Sequence, residues 1–174
     1  MQARLSLKGR ALQLVAQRDQ SRVELRRKLC DHAARAARES GDAEPDGETQ
    51  GTEVEAVLDW LEANRYLSAE RFAESRVHAR ASRFGNLRIK SELAQHGVAL
   101  PAETARALAD SELRRAAAVC ERRFRVPPAD AAQRATQSRF LAARGFSSEV
   151  IHRLMRQLRE AAREGDAGKV DEGP

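Results

Sequence analysis

The chain is poor in aromatics: five Phe, one Trp and one Tyr among 174 residues. It holds only two cysteines and five prolines. Cys30 and Cys120 lie far apart, and neither belongs to a CxxC pair. They read as small apolar packers in a reducing compartment, with a redox switch as the minor alternative. No run alternates as a half-buried strand would, and no segment is apolar enough to cross a bilayer. The opening MQARLSLKGR lacks the continuous apolar stretch of a signal peptide, so a cytoplasmic protein without a membrane partner is expected.

Catalytic signatures are also missing. The four histidines, His32, His78, His96 and His152, are scattered, and none lies three or four residues from another His or a Cys. Cys30 and His32 are two apart, which points them to different helical faces. There is no phosphate-cradling glycine loop, no nucleophile elbow and no scaffolded carboxylate pair. The expectation is no catalytic residue, no metal and no cofactor, and hence no enzyme.

What the chain does have is Ala, Leu, Arg and Glu, the strong helix formers. An all-α fold follows. Apolar residues at helical spacing recur in sets of three. The first set is Leu12 and Val15, then Leu25 and Leu29, then Val54, Val57, Leu58 and Leu61. The second is Ala73, Val77, Ala81 and Phe84, then Ile89 and Leu93, then Ala105 and Leu108 behind Pro101. The third is Ala116, Val119, Cys120 and Phe124, then Leu141, then Val150, Ile151, Leu154, Met155 and Leu158. Gly97-Val98 and Gly145-Phe146 close the middle helices of the second and third sets, where glycine tolerates the left-handed conformation. Gln137 stands where Ile89 predicts an apolar residue, and Phe140 is expected to supply the missing contact. Helix starts are predicted from capping-box spacing at Ser21/Glu24, Thr52/Glu55 and Asp130/Gln133, and from simple caps at Ser68 and Asn86.

The predicted architecture is therefore three tandem three-helix repeats, over residues 1–67, 68–110 and 111–163, stacked into an elongated, curved array. A compact bundle is the plainer alternative. Between Leu29 and Val57 the segment ARESGDAEPDGETQGT is almost devoid of apolar residues, so a disordered acidic insert is expected over about 38–52. The tail 164–174 reads the same way. The insert is a solubilising linker, or else a mimic of DNA phosphate that shields basic faces in cis.

Charge is segregated along the chain. Residues 1–38 carry ten basic and three acidic side chains, while residues 39–62 carry nine acidic and no basic ones. Residues 111–163 have a net charge of +7. Arg76, Arg80 and Arg83 recur at i, i+4 and i+7, one residue's rotation from the Ala73/Val77/Phe84 stripe, and predict a cationic ridge. Arg22 and Arg26 form a similar pair. Arg88 and Lys90 open the central helix, Arg122 and Arg123 close another, and Arg139 and Arg144 flank the last glycine turn. Arginine heavily outnumbers lysine, and its planar fork suits carboxylate or phosphate. Trp60 and Tyr66 flank a helix end, as inter-repeat packers or as a stacking surface for an unpaired base. Phe72 is expected in the core.

The run VLDWLEANRYLSAERFAESRVHARASRFGNLRIKSELAQHGV resembles the central part of RecX regulators, bacterial modulators of the RecA recombinase. The resemblance is carried by Leu58-Leu61, Tyr66-Leu67, Arg71-Phe72-Ala73, Gly85, Arg88-Ile89, Glu92-Leu93 and Gly97. RFLAARGFSSEVI (139–151) is similar to that family's closing repeat, and ALQLVAQRDQSRVELRRKL (11–29) to its first. Two departures stand out: Ser68-Ala69-Glu70 replaces the usual acidic pair, and CDHAARAARES runs on where a glycine is usual. The resemblance implies a non-enzymatic, monomeric protein of three helical repeats. It implies binding to RecA–DNA filaments that limits ATP hydrolysis, filament extension and strand exchange. Direct contact with single- or double-stranded DNA, through the arginines above, belongs to the same expectation. A stand-alone basic nucleic-acid-binding module, or a scaffold for another acidic partner, remains the alternative on charge alone.

Overall fold

Leucines four residues apart share one helical face, and the faces of neighbouring helices are buried together. The computed structural model describes residues 5–40 and 47–167. Among them are eight α-helices and no strand: α1 (Leu7–Gln17), α2 (Arg22–Ser40), α3 (Gly47–Ala63), α4 (Ala69–Ala81), α5 (Asn86–Gln95), α6 (Ala102–Phe124), α7 (Ala131–Ala143) and α8 (Ser148–Ala167).

The helices form two compact units. One comprises residues up to Ser75 together with Leu93–Ala99; the other comprises Arg76–Glu92 and the chain from Leu100 onward. In the first, α1, α2 and α3 bury Ala11, Leu14, Leu25, Leu29, Val54, Leu58 and Leu61, with Leu67 from the following turn. Phe72 is buried here, and its ring meets His96 edge-on at 5.1 Å between centroids. Ser21, also buried, shares a 3.1 Å hydrogen bond with His96 Nδ1. In the second unit, α6, α7 and α8 enclose Ala116, Val119, Cys120, Leu141, Phe146, Ile151, Leu154 and Met155. Burying a Leu, Ile or Phe side chain is worth about 1.5–3 kcal/mol relative to exposure. The first and third sets of apolar stripes predicted from spacing are these two cores, while Ala73, Ile89, Leu93 and Leu108 of the second set are buried outside them.

Helix ends follow local chemistry. Ser21 Oγ accepts the Glu24 N–H (3.1 Å), Ser68 Oγ that of Arg71 (3.2 Å) and Asp130 Oδ1 that of Gln133 (2.7 Å), as the caps predict. Gly97 (φ +66°) and Gly145 (φ +79°) are left-handed. The N–H of the residue after each reaches back to Leu93 (3.0 Å) and Leu141 (3.2 Å), which closes two Schellman motifs.

Several expectations change. The third helix of the second set and the first helix of the third are one helix, α6, so among the described residues eight helices replace nine. No glycine or proline interrupts ALADSELRRAAAV, and the Ser111 hydroxyl donates back to the Ala107 carbonyl at 2.8 Å without breaking the helix. The acidic loop expected over about 38–52 is helical at both ends, since α2 reaches Ser40 and α3 starts at Gly47; residues 41–46 lie outside the described residues. Thr52 is therefore no cap but sits inside α3, its hydroxyl donating to the Glu48 carbonyl at 2.9 Å. Likewise α8 continues to Ala167, and the rest of the expected tail, 168–174, lies outside the described residues. Gln137 is itself buried, because Cys120 Sγ donates to its Oε1 (3.4 Å) while its Nε2 donates to the Val126 carbonyl (3.4 Å). Phe140 nonetheless packs against the core as expected, where it meets Phe124 edge to face at 5.2 Å.

Candidate functional site

The arginines divide by whether a carboxylate already holds them. In the first unit the acidic face of α3 is turned on α2. Arg22 reaches Glu55 (2.6 Å), Asp59 (2.6 Å) and Glu62 (2.7 Å), and Arg26 Nε reaches Glu55 at 2.5 Å. Asp59 foremost, then Glu55, holds the Arg22 guanidinium protonated above its ordinary value, against the cost of burial. Conversely, the hydrogen bond from Arg22 holds the Glu55 carboxyl below the usual range. Shielding in cis thus exists, but α3 supplies it. Lys8 Nζ sits 3.4 Å over the Trp60 ring, which stacks on Tyr66 at 5.6 Å, so Trp60 packs within its own unit.

In the second unit the expected ridge on α4 is interrupted. The helix ends at Ala81, so Arg83 projects from the turn that follows rather than from the helix face of Arg76 and Arg80. Arg80 Nε lies 3.0 Å from Glu92 Oε2, close enough for an ion pair but without hydrogen-bond alignment. Arg88 pairs with Glu92 at 3.5 Å and lies 4.4 Å from the Phe84 ring centre. Arg76 is half-buried, and Lys90 and Arg139 are exposed on their helices, Arg139 reaching Thr136 Oγ1 at 3.5 Å.

The remaining four converge. Arg83, Arg122, Arg123 and Arg144, with Val119 and Phe140, line an open cleft of about 380 Å³. Among the described residues none of the four is paired with a carboxylate. Arg122 and Arg123 occupy the last turn of α6, and Arg144 caps α7, positions where a helix end favours cations. Arg122 donates to the Ser82 carbonyl and Arg144 Nη1 to the Arg83 carbonyl (3.3 Å). The Arg144 guanidinium lies 4.5 Å from the Phe140 ring centre. Each guanidinium carries five N–H donors, so most remain for a ligand.

The same unit holds a polar hub that sequence reasoning missed. Glu112 is buried, its Oε1 accepting the Asn86 N–H at 2.9 Å and its Oε2 facing Ser147 Oγ at 3.5 Å. Arg115 donates to the carbonyls of Phe84 (2.8 Å), Ala81 (3.1 Å) and Leu108 (3.1 Å), and to Asn86 Oδ1. Asn86 therefore works as an acceptor for Arg115 rather than as a simple helix cap. Burial lowers the Arg115 pKa from its ordinary value, with nearby Glu112 opposing. One signal was present: Glu112 interrupts the stripe Leu108, Ala116, Val119 at helical spacing, and a charge on an apolar face needs a partner. Two glycines bring the turns together. Gly85 N–H donates to the Arg144 carbonyl (2.9 Å) and Leu87 N–H to the Gly145 carbonyl (3.0 Å).

No group of three or more His, Cys, Asp or Glu side chains among the described residues could hold a metal ion, and Cys30 and Cys120 are free thiols. No described helix is long and apolar enough to cross a membrane.

Helices closed by glycine turns, with an arginine-lined recess at their ends, define an all-α protein with a cationic surface. Two family models match it: the second three-helix domain of RecX over residues 70–100 and the third over 110–155. The chain is 49% identical to the regulatory protein RecX of Ralstonia nicotianae, over 93% of this chain and 94% of the relative. It is 46% identical to that of Herbaspirillum seropedicae (91% and 92% covered) and 33% identical to that of Neisseria meningitidis (90% and 93%). The crystal structure of RecX from Lactobacillus salivarius shares the fold, with a TM-score of 0.60 at 16% identity, covering 88% of this chain and 94% of the other. The chain belongs to the RecX family of regulatory proteins, which are regulators and not enzymes.

Proposed function

We propose that this protein binds RecA–DNA filaments and restrains their ATP hydrolysis, extension and strand exchange, acting as a monomer in the cytoplasm. Membership of the RecX family carries this reading. The charge distribution supports it, since a recombinase filament is a polyanion that steers a cationic surface towards itself. The arginines that serve this contact are those without a carboxylate, Arg83, Arg122, Arg123 and Arg144, rather than Arg22 and Arg26, which α3 occupies.

The test is RecA ATP hydrolysis on single-stranded DNA with substoichiometric amounts of this protein. Inhibition with weak binding to bare duplex is expected. Unchanged hydrolysis with tight duplex binding would replace the reading with that of a stand-alone nucleic-acid-binding module.

A further inference from the structure

We propose that Ser82 is a phosphorylation site, and that its phosphoryl group, once attached, docks on the arginine-lined recess of its own unit and closes it. The consequence for recombinase control rests on the filament reading above; the site itself does not.

Ser82 is exposed in the turn between α4 and α5. The other serines outside helices among the described residues are Ser6, Ser21, Ser68 and Ser147. Each of their hydroxyls accepts the backbone N–H three residues on. Ser82 caps nothing. Among the described residues its hydroxyl makes no hydrogen bond, and Arg122 takes its carbonyl. A kinase must bring the accepting hydroxyl within hydrogen-bond reach of its catalytic carboxylate, which a free hydroxyl in a turn allows and one inside a helix resists. Arg80 and Arg83 stand two residues before and one after, a charge frame that a kinase reads through carboxylates of its own. In the transfer, Ser82 Oγ attacks the terminal phosphorus of a nucleoside triphosphate. The Oγ–P bond forms as the bond to the bridging oxygen breaks, the hydroxyl proton passes to the kinase carboxylate, and the diphosphate leaves.

The surroundings decide what the phosphate then does. It lies just past Ala81, where α4 ends, and a helix C-terminus disfavours negative charge. That effect is weak and fades within one turn. Against it stand Arg83, Arg122, Arg123 and Arg144, which line the recess with no acidic side chain among them. Phosphoserine brings a charge of about −1.5 to −2 and three strong acceptor oxygens. Arginine meets such oxygens through parallel N–H donors. Arg122 already reaches the Ser82 carbonyl and Arg144 that of Arg83, so both guanidiniums are held against the segment that carries the phosphate. Little side-chain freedom is lost on docking. A tethered ligand acts at an effective concentration on the order of mM, so an external anion must compete with it for the same arginines.

The experiment uses the full chain with phosphoserine encoded at position 82. Phosphorus NMR follows the second ionisation of the phosphate. Guanidiniums favour the dianion, so its pKa should fall from about 6 to about 5 or below. R83A/R122A should return it to about 6. R153A/R156A, which removes equal charge from the exposed face of α8, should leave it low. An ordinary value in the unsubstituted chain, or an equal return in R153A/R156A, overturns the docking. Phosphopeptide mapping of the chain recovered from its native cells should find phosphate on the peptide that contains Ser82. Its absence there, or phosphate confined to other serines, overturns the modification site. In RecA ATP hydrolysis the phosphorylated chain should need at least about tenfold more protein than Ser82→Ala for equal restraint. Equal potency overturns the closing of the recess. If neither chain restrains RecA, the filament reading fails, while the NMR and mapping results still decide the site.

Discussion

Replacing Gly85 by alanine places a methyl carbon 2.2 Å from both the Gly145 oxygen and the Phe146 nitrogen. Ordinary contact begins at 3.4 Å, so the two turns must separate by about 1.2 Å, and both obstacles are backbone. Separation on that scale stretches the Gly85-to-Arg144 and Leu87-to-Gly145 hydrogen bonds, now 2.9 and 3.0 Å, beyond bonding distance. Each costs roughly 0.5–1.5 kcal/mol if water takes its place and about 1–3 if the groups stay dry. Alanine also lowers the entropy of the unfolded chain, returning about 0.4–1 kcal/mol. The net expectation is a loss of about 2–4 kcal/mol, which for a chain of this size lowers the melting temperature by roughly 5–15 °C. Circular dichroism melts and urea titrations measure it. Gly51→Ala is the matched control, because a Cβ there meets nothing within 4 Å and the site is inside α3; it should gain about 0.5–1 kcal/mol. A cost below about 0.5 kcal/mol for Gly85→Ala would refute the claim that glycine is required for this close approach.

Two further outcomes test the polar interior. Glu112→Ala strips the Asn86 N–H of its acceptor and leaves Arg115 without a counter-charge, for about 2–4 kcal/mol by urea denaturation. Glu112→Gln, which keeps an acceptor oxygen, should cost about half as much, and a cost under about 1 kcal/mol for alanine would remove the hub from the account. For the α2–α3 pairs the sign follows from the lowered pKa of Glu55, set first by the Arg22 hydrogen bond. Such a carboxylate contributes stability above its unfolded pKa of about 4.3, and that contribution is lost as pH falls through the lower folded value. The melting temperature of the wild type should therefore drop more steeply below about pH 4 than that of Glu55→Gln. Parallel curves between pH 7 and 3 would contradict the pairing.

Helix positions and ends were legible wherever the cause was local. Leu25/Leu29 and Ile89/Leu93 are buried because residues four apart share a face, and Ser21, Ser68 and Asp130 cap because the donors they satisfy are three residues on. Expectations failed where a neighbour distant in sequence took part. Asn86 had cap chemistry, yet Arg115, 29 residues on, takes its oxygen. The arginines show the same division. Arg22 and Arg83 look alike in sequence, each in a basic run, but Arg22 faces three carboxylates of α3 and Arg83 faces three more arginines.

Periodicity and glycine placement, which depend on bonds and contacts within a few residues, settled that this chain is helical, where its core stripes run and where two of its middle helices stop. Family likeness was readable for the same reason, being carried by short local motifs. Which arginines lie beside carboxylates and which do not was decided only by folding. Charge pairing acts through space, and 40 residues of chain separate Arg22 from Glu62, as 61 separate Arg83 from Arg144.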